Sequence, residues 1–99
     1  MSTQAEIEEV AEDSGVPVKV VQDFCKDYGY EAEDFQDHFM GVAEDGESWI
    51  EEWYYDTGEI DKCPDPLKSY IEWKYVWRDM TFEGWFGIRS NGDFYIFSP

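Results

Sequence analysis

The chain has 99 residues, the length of one ordinary domain. It is 42% hydrophobic and 19% aromatic, far above the composition of disordered proteins, so we expect a folded globule. The net charge of −17 argues against nucleic acid or an anionic membrane surface as a partner, because both are polyanions, and it favours a basic partner.

The N-terminal part of the sequence predicts two helices. Thr3 and Glu6 have the spacing of a capping box, which opens a helix that runs to about residue 13. Pro17 suits the first turn of a second helix. Apolar residues then recur at helical spacing, and Gly29 closes this stripe.

The middle of the sequence predicts a short helix over about residues 31–39, a strand over residues 40–44 and a longer helix. Asp45 or Ser48 can cap the longer helix, which runs to about Thr57. Its apolar positions recur at i, i+1, i+4 and i+5 and are Trp49, Ile50, Trp53 and Tyr54. We therefore expect its aromatic residues to face inward and its carboxylates to face outward.

The last third of the sequence predicts mixed structure. Asp65-Pro66 starts a helical turn, and residues 70–80 follow as an aromatic-rich helix. Residues 85–89 and 94–97 have the composition of strands. Asn91-Gly92 between them is a strong hairpin signal.

These elements are expected to share one domain, because the sequence contains no internal repeat, low-complexity segment or clear linker. Residues 1–99 are predicted to form a single compact acidic domain, helical over residues 1–40 and mixed α/β over residues 41–99. The fold class is α+β, with N-terminal and central short helices followed by a small antiparallel β-sheet with a C-terminal hairpin.

The negative charge is concentrated in one block. Residues 27–61 contain thirteen acids and no lysine or arginine, whereas residues 62–99 contain five acids and five bases. Blocks of like charge are often tails, but this block also contains Phe35, Phe39 and Trp49. It is therefore predicted to belong to the folded part of the protein.

No pattern of residues points to catalysis. His38 is the only histidine in the sequence and is expected to pack or to lie at the surface. Cys25 falls on an apolar helical stripe, and neither Cys25 nor Cys63 has a base partner at motif spacing. We expect no enzyme activity, no cofactor and no metal site. With two cysteines, no signal peptide and no membrane span in the sequence, we expect a cytoplasmic protein with reduced thiols.

The acidic block has the chemistry of a surface that imitates DNA. Carboxylates at i, i+3 and i+4 on a helix lie about 5–6 Å apart, near the spacing of phosphates along a strand. A rigid array of this kind can occupy a cationic groove and attract it at long range, as DNA does. Buried aromatic rings can hold such an array rigid against its own repulsion.

Spaced residues over about positions 30–97 resemble the ArdA family of antirestriction proteins. Those in the middle of the chain are Phe39, Gly41, Trp49, Ile50, Glu52, Trp53 and Gly58. The densest stretch is Pro64–Met80, and its matching positions are Leu67, Tyr70, Ile71, Glu72, Arg78, Asp79 and Met80. Three more matching positions follow this stretch, at Gly84, Trp85 and Phe86. Glu72 and Met80 depart from the family's Asp and Leu, and the family's additional N-terminal β-rich domain is not expected here.

The resemblance implies a DNA mimic from a phage or mobile element that acts in the cytoplasm of a bacterial host cell. ArdA-like proteins are acidic homodimers that occupy the DNA-binding groove of type I restriction–modification enzymes and have no catalytic residues. The stretch similar to Pro64–Met80 lies near their dimer contact. We therefore expect a host DNA-binding protein and a second copy of the chain as partners, with no nucleic acid and no membrane.

Two sets of residues carry this hypothesis. The carboxylates expected to stand in for phosphates are Glu31, Glu33, Asp34, Asp37, Glu44, Asp45, Glu47, Glu51, Glu52, Asp56, Glu59 and Asp61. The residues expected at the dimer or partner contact are Leu67, Tyr70, Ile71, Trp73 and Trp77. The alternative for this second set is that its aromatic residues build the intramolecular core alone.

Other functions stay open on the sequence. The chain can be an acidic adaptor or inhibitor that binds another basic host protein, such as RNA polymerase, a nucleoid protein or a CRISPR or other defence subunit, without the geometry of DNA. Its charge can also serve only to prevent association. Competition with DNA separates the mimic from the adaptor, because a mimic competes with DNA for one groove whereas an adaptor binds with DNA still in place.

Overall fold

The computed structural model describes residues 2–99, in which helices pack on both faces of a small antiparallel sheet. The helices in this range are α1 (Gln4–Ser14), α2 (Val18–Tyr28), α3 (Phe35–His38), α4 (Gly46–Thr57), α5 (Asp65–Lys68) and α6 (Trp73–Phe82). The strands are β1 (Phe39–Ala43), β2 (Phe86–Ser90) and β3 (Asp93–Phe97), and 3₁₀ turns span Ala32–Asp34 and Glu59–Lys62. The prediction of an α+β fold with a C-terminal hairpin is confirmed.

The sheet places β3 between β1 and β2, antiparallel to both. Because successive side chains of a strand point to opposite faces, β3 contributes to both sides of the sheet. Tyr95 and Phe97 enter a first core with α1 and α2, whereas Phe94 and Ile96 contact a second core with α4 and α6. One five-residue strand thus joins the two halves of the molecule.

The first core is built on aromatic rings. Phe24, Phe35 and Phe97 are fully buried. The ring of Phe24 lies 5.2 Å from that of Phe35 and 5.1 Å from that of Phe97, in an edge-on and a stacked arrangement respectively. Pairs in such geometries add about 0.5–1.5 kcal/mol each beyond the burial of their area. This core fixes α1, α2 and the turn at residues 32–34 against one face of the sheet.

The second core holds α4, the helix of the acidic block. Trp49, Ile50 and Ile96 are buried, and the α6 side chains Trp73 and Trp77 pack against them. The prediction of an amphipathic α4 with its apolar positions turned inward is therefore confirmed. Within residues 2–99 no helix is both long and apolar enough to cross a membrane.

The capping box and the hairpin turn form at the predicted residues. The Thr3 hydroxyl accepts a hydrogen bond from the Glu6 amide, and the Glu6 carboxylate accepts one from the Thr3 amide. Asn91 and Gly92 both have positive φ, at 51° and 88°, as a two-residue type I′ hairpin requires. The capping box and the hairpin are thus confirmed.

Two predicted helices have different bounds in the structure. The one expected over residues 31–39 is a 3₁₀ turn followed by the short α3, and Phe39 already belongs to β1. The one expected over residues 70–80 begins at Trp73, because the amides of Tyr70 and Ile71 donate back to the carbonyls of Leu67 and Lys68. These bonds continue the turn of α5.

Candidate acidic interaction surface

The acidic surface begins at the first turn of α4, where a carboxylate caps the helix. Asp45 has extended backbone, and its Oδ1 accepts a hydrogen bond of 2.7 Å from the Ser48 amide. This backbone hydrogen bond holds the pKa of Asp45 below its usual value of 3.8. Asp45 is therefore charged at neutral pH and stabilises the helix that carries the next four carboxylates.

Along α4, Glu47, Glu51, Glu52 and Asp56 are exposed. Glu47 and Glu51, and likewise Glu52 and Asp56, are four residues apart and so lie one helical turn from each other. Trp49 and Ile50 anchor the helix from its buried side. Helical backbone and core packing together hold in place the backbone from which these carboxylates project.

The segment at residues 31–37 supplies a second group of carboxylates. The Glu31 amide donates to the Asp34 side chain, and the Glu31 carboxylate accepts a bond of 2.8 Å from the Ser2 hydroxyl. That hydroxyl holds the pKa of Glu31 below its usual range. Glu31 and Asp34 thus stabilise this segment, while Glu33 and Asp37 are exposed.

The structure divides the twelve predicted phosphate-like carboxylates into two groups. Those that are only half exposed are Glu31, Asp34, Asp45 and Glu59. Those that are exposed are Glu33, Asp37, Glu44, Glu47, Glu51, Glu52, Asp56 and Asp61. Apart from Asp61, none of the exposed group has a salt bridge or side-chain hydrogen bond within the described part of the chain.

Two lysines that pair with carboxylates lie just beyond the C-terminal end of the acidic block. Lys62 pairs with Glu59 at 2.8 Å, and Lys68 lies 2.6 Å from Asp65 and 3.7 Å from Asp61. The hydrogen bonds to Glu59 and Asp65 raise the pKa of Lys62 and Lys68 above the ordinary lysine value. Glu59 and Asp61 are therefore less suited to bind a partner than the carboxylates of α4.

Sequence reasoning left out the carboxylates of α1. Glu8, Glu9, Glu12 and Asp13 are exposed on this helix. The end of α1 lies beside α3, because the Gln36 side chain donates a hydrogen bond to the Ser14 hydroxyl. The signal in the sequence is the i, i+4 spacing of the two acidic pairs, which places each pair on one face.

The molecule is elongated, with extents of 51 × 23 × 21 Å. Dividing the net charge of −17 by the 51 Å length gives about one net negative charge per 3 Å. The two shorter extents are close to the width of a DNA duplex.

The five residues predicted at the dimer or partner contact separate by burial. Leu67 and Tyr70 are 53% and 78% exposed. Ile71 is half-buried. Trp73 and Trp77 are also half-buried and pack in the second core, where their rings lie 5.4 Å from Tyr54 and 6.0 Å from Phe94 respectively. The two tryptophans therefore contribute to intramolecular packing, and Leu67 and Tyr70 are the members of the set that face solvent.

His38 and Cys25 have packing roles in the structure. His38 is half-buried, its Nδ1 lies 2.9 Å from the Ser98 carbonyl oxygen, and its ring lies 4.5 Å from that of Tyr30. Cys25 packs against the first core, and burial raises the pKa of its thiol. Within residues 2–99, no group of three or more His, Cys, Asp or Glu side chains is arranged to hold a metal ion.

Comparison of the chain with protein-family models finds no match, and comparisons with curated proteins and with solved structures find none either. The resemblance to ArdA therefore depends on the spaced residues alone and stays a prediction.

Proposed function

We propose that this protein is a DNA mimic that inhibits a host DNA-binding protein by occupying its DNA-binding groove. The observation that carries the proposal is the density of fixed negative charge along a narrow body. A duplex presents one charge per about 1.7 Å of axis, and this protein presents about one net charge per 3 Å over a length of 51 Å. Averaged over that length, its net charge is roughly half that of DNA.

The rigidity of the charged surface also supports the proposal. A flexible acidic tail loses conformational entropy when it docks, whereas side chains on packed helices lose less. α4 is capped by Asp45 and anchored by Trp49 and Ile50, and the segment at residues 31–37 is held by Phe35 in the first core. The backbone that carries the carboxylates of both segments is therefore ordered before a partner arrives.

The proposed target is a type I restriction–modification enzyme in the cytoplasm of a bacterial host, with the chain acting as a homodimer. This choice follows from the resemblance to ArdA proteins over Pro64–Met80. Mimicry of DNA itself depends on the charge and shape of the molecule and would also apply to another enzyme with a cationic groove.

The experiment is displacement of DNA. A fluorescent duplex with a type I recognition site is bound to its restriction–modification enzyme, and the protein is titrated in while fluorescence anisotropy is measured. We expect full displacement, with an apparent affinity that falls steeply as salt rises, since each fixed carboxylate replaces a phosphate contact. A ternary complex in which DNA stays bound would contradict mimicry and favour the acidic adaptor.

Charge reversals locate the surface that binds. Glu47→Lys with Glu51→Lys should weaken displacement by at least about tenfold, because it places cations in the array. Asp79→Lys with Glu83→Lys is the matched control, since both residues are exposed, lie outside the acidic block and give the same change in net charge. Equal losses for the two pairs would mean that net charge alone attracts the enzyme and that the α4 carboxylates make no defined contact.

A further inference from the structure

A groove lies between α4 and the outer edge of β1. It encloses about 270 Å³ and is lined by residues 40–42 on the strand side and by Trp49, Glu52, Trp53 and Asp56 on the helix side. The four helix residues fall at i, i+3, i+4 and i+7, so they form one continuous stripe along α4. The groove therefore combines two carboxylates and two indole rings beside a strand.

The strand side of the groove is an open sheet edge. β1 pairs with β3 on one side, and no strand within residues 2–99 pairs with it on the other. The register shifts between Phe39 and Gly41, so the regular part of the edge runs from Gly41 to Ala43. Met40 and Val42 are 40% and 46% exposed. Unpaired N–H and C=O groups on such an edge are a template for an additional strand.

The helix side of the groove presents an unpartnered donor. Trp49 is 8% exposed, and a methyl group at Gly41 would lie 3.2 Å from its indole Nε1, so the strand passes close to this nitrogen. The nitrogen has no hydrogen-bond acceptor among the described residues. Every fully buried side-chain nitrogen or oxygen within residues 2–99 has a hydrogen-bond partner. Because the Trp49 indole nitrogen has none, it is not fully buried, and its N–H reaches solvent in the groove. A carbonyl of a bound chain can accept from it.

The charge and rings of the groove fit a basic side chain. Glu52 and Asp56 are exposed one turn apart, and the rings of Trp49 and Trp53 lie 6.2 Å apart at an interplanar angle of 27°. A guanidinium group stacks on indole faces and pairs with carboxylates, and an ammonium group does both more weakly.

The opposite sheet edge lacks this complementarity. β2 carries the exposed Arg89, whose guanidinium lies 4.9 Å from the Phe94 ring and donates to the Gly92 carbonyl. This cation repels a basic segment from the β2 edge. No lysine or arginine occurs between residues 27 and 61, so the β1 edge has no such repulsion from its own segment.

We propose that the groove between β1 and α4 binds an extended basic peptide segment, which adds to β1 as a further strand and places an arginine between Trp53 and the carboxylates of Glu52 and Asp56. The site recognises backbone hydrogen bonds and one cationic side chain. This activity goes beyond imitation of a duplex, which requires neither a free strand edge nor an indole donor.

The test uses a synthetic peptide of about seven alternating arginine and valine residues, blocked at both ends. The control peptide has proline in place of each valine, which keeps the charge but removes the N–H group of every second residue and so disfavours strand pairing. In ¹H–¹⁵N spectra of the full chain, the valine peptide should shift the Trp49 indole N–H and the β1 amides. It should bind at least about tenfold more tightly than the proline peptide.

Two pairs of substitutions on α4 provide the matched variants. Glu52→Gln with Asp56→Gln removes the charges of the groove and should weaken peptide binding at least about threefold. Glu47→Gln with Glu51→Gln removes two charges of the same helix outside the groove and should leave binding nearly unchanged. All four residues are exposed, so thermal melting should show that both variants fold.

Three results would overturn the proposal: equal affinity for the two peptides, equal weakening by the two variants, or an unshifted Trp49 indole signal. Each means that the peptide is attracted only by overall negative charge. No DNA-binding enzyme takes part in this assay, so its failure is distinct from failure of the DNA displacement experiment.

Discussion

Several carboxylates of this acidic chain stabilise its own backbone. Glu6 completes the capping box of α1, and Asp34 accepts the Glu31 amide. Asp45 caps α4 at the centre of the acidic block. Backbone N–H groups at a helix start carry partial positive charge, so a carboxylate there is stabilising even where other acids are close. The residues that form the charged surface and those that hold it in place are thus of the same type.

Asp45→Ala should lower the free energy of unfolding by about 1 kcal/mol at pH 7, because it leaves the Ser48 amide without its acceptor. Urea denaturation measures the difference. Asp45→Asn is the control, since asparagine caps a helix about as well as aspartate. A loss as large in the asparagine variant would show that charge, and not capping, is what Asp45 contributes.

The same residue should give the stability a defined dependence on pH. The pKa of Asp45 is lower in the folded chain than its usual 3.8, so its contribution is fully present above that pH and is lost as pH falls through the lowered value. The stability difference between the wild type and Asp45→Ala should therefore shrink as pH drops from about 4 towards 2. A difference that stays constant over this range would contradict the assignment of the lowered pKa to the cap.

At the scale of elements, the contact between α4 and α6 depends on a glycine, which has no side chain. Gly46 is buried at the start of α4, and a Cβ there would overlap the indole ring of Trp77. The close approach allows α6 to cover Trp49 and Ile50, which fix the orientation of α4. The position of the outward carboxylates is therefore coupled to this contact.

Gly46→Ala should lower the free energy of unfolding by about 1–3 kcal/mol, since the added methyl group displaces the Trp77 ring. Alanine improves helix propensity by up to about 1 kcal/mol, which offsets part of this cost. Glu47→Ala, at the exposed neighbouring position, is the control and should change stability by less than about 0.5 kcal/mol. Equal melting temperatures for the wild type and Gly46→Ala would contradict the close packing.

Most elements could be predicted because their signals are local. The capping box of α1, the glycine after α2 and the Asn-Gly turn each act through bonds within a few residues. The start of α6 could not be predicted in this way. Tyr70 and Ile71 belong to an aromatic stretch that continues into α6 without a break in the sequence. Their amides, however, donate hydrogen bonds to carbonyls of the α5 turn. Competition between adjacent elements decided that boundary.

For the whole molecule, charge limits where two copies can meet. Residues 27–61 carry thirteen acids and no bases, so contact between two such surfaces is repulsive. Residues 62–99 have equal numbers of acids and bases and hold the exposed Leu67 and Tyr70. A homodimer formed through this neutral third would leave both acidic surfaces open to a target.

The protein should sediment at micromolar concentration with twice its chain mass of 11.7 kDa. Leu67→Ser with Tyr70→Ser should give the mass of a monomer that still folds, because both side chains are exposed in the single chain. Phe82→Ser is the control, since Phe82 is 79% exposed but lies outside the predicted contact. A wild-type monomer, or a dimer that survives the double substitution, would contradict the predicted contact.

The sequence by itself determined the charge, the positions of most helices and the hairpin, because these follow from composition and from hydrogen bonds between near neighbours. It also determined that the carboxylates of residues 47–56 lie on an ordered helix, since the spacing of Trp49, Ile50 and Trp53 requires a buried face. Only the tertiary structure decided which elements meet. The pairing of β1 with β3 forms the groove beside Glu52 and Asp56.

Tertiary packing likewise decided which aromatic residues near the C-terminus are buried and which are exposed. Trp73 and Trp77 enter the second core, whereas Tyr70, three residues before Trp73, faces solvent. Helical spacing gives the side of a helix on which a residue lies, but burial depends on a surface contributed by distant parts of the chain. For Trp77 that surface is Phe94 on β3, which no pattern within residues 70–80 specifies.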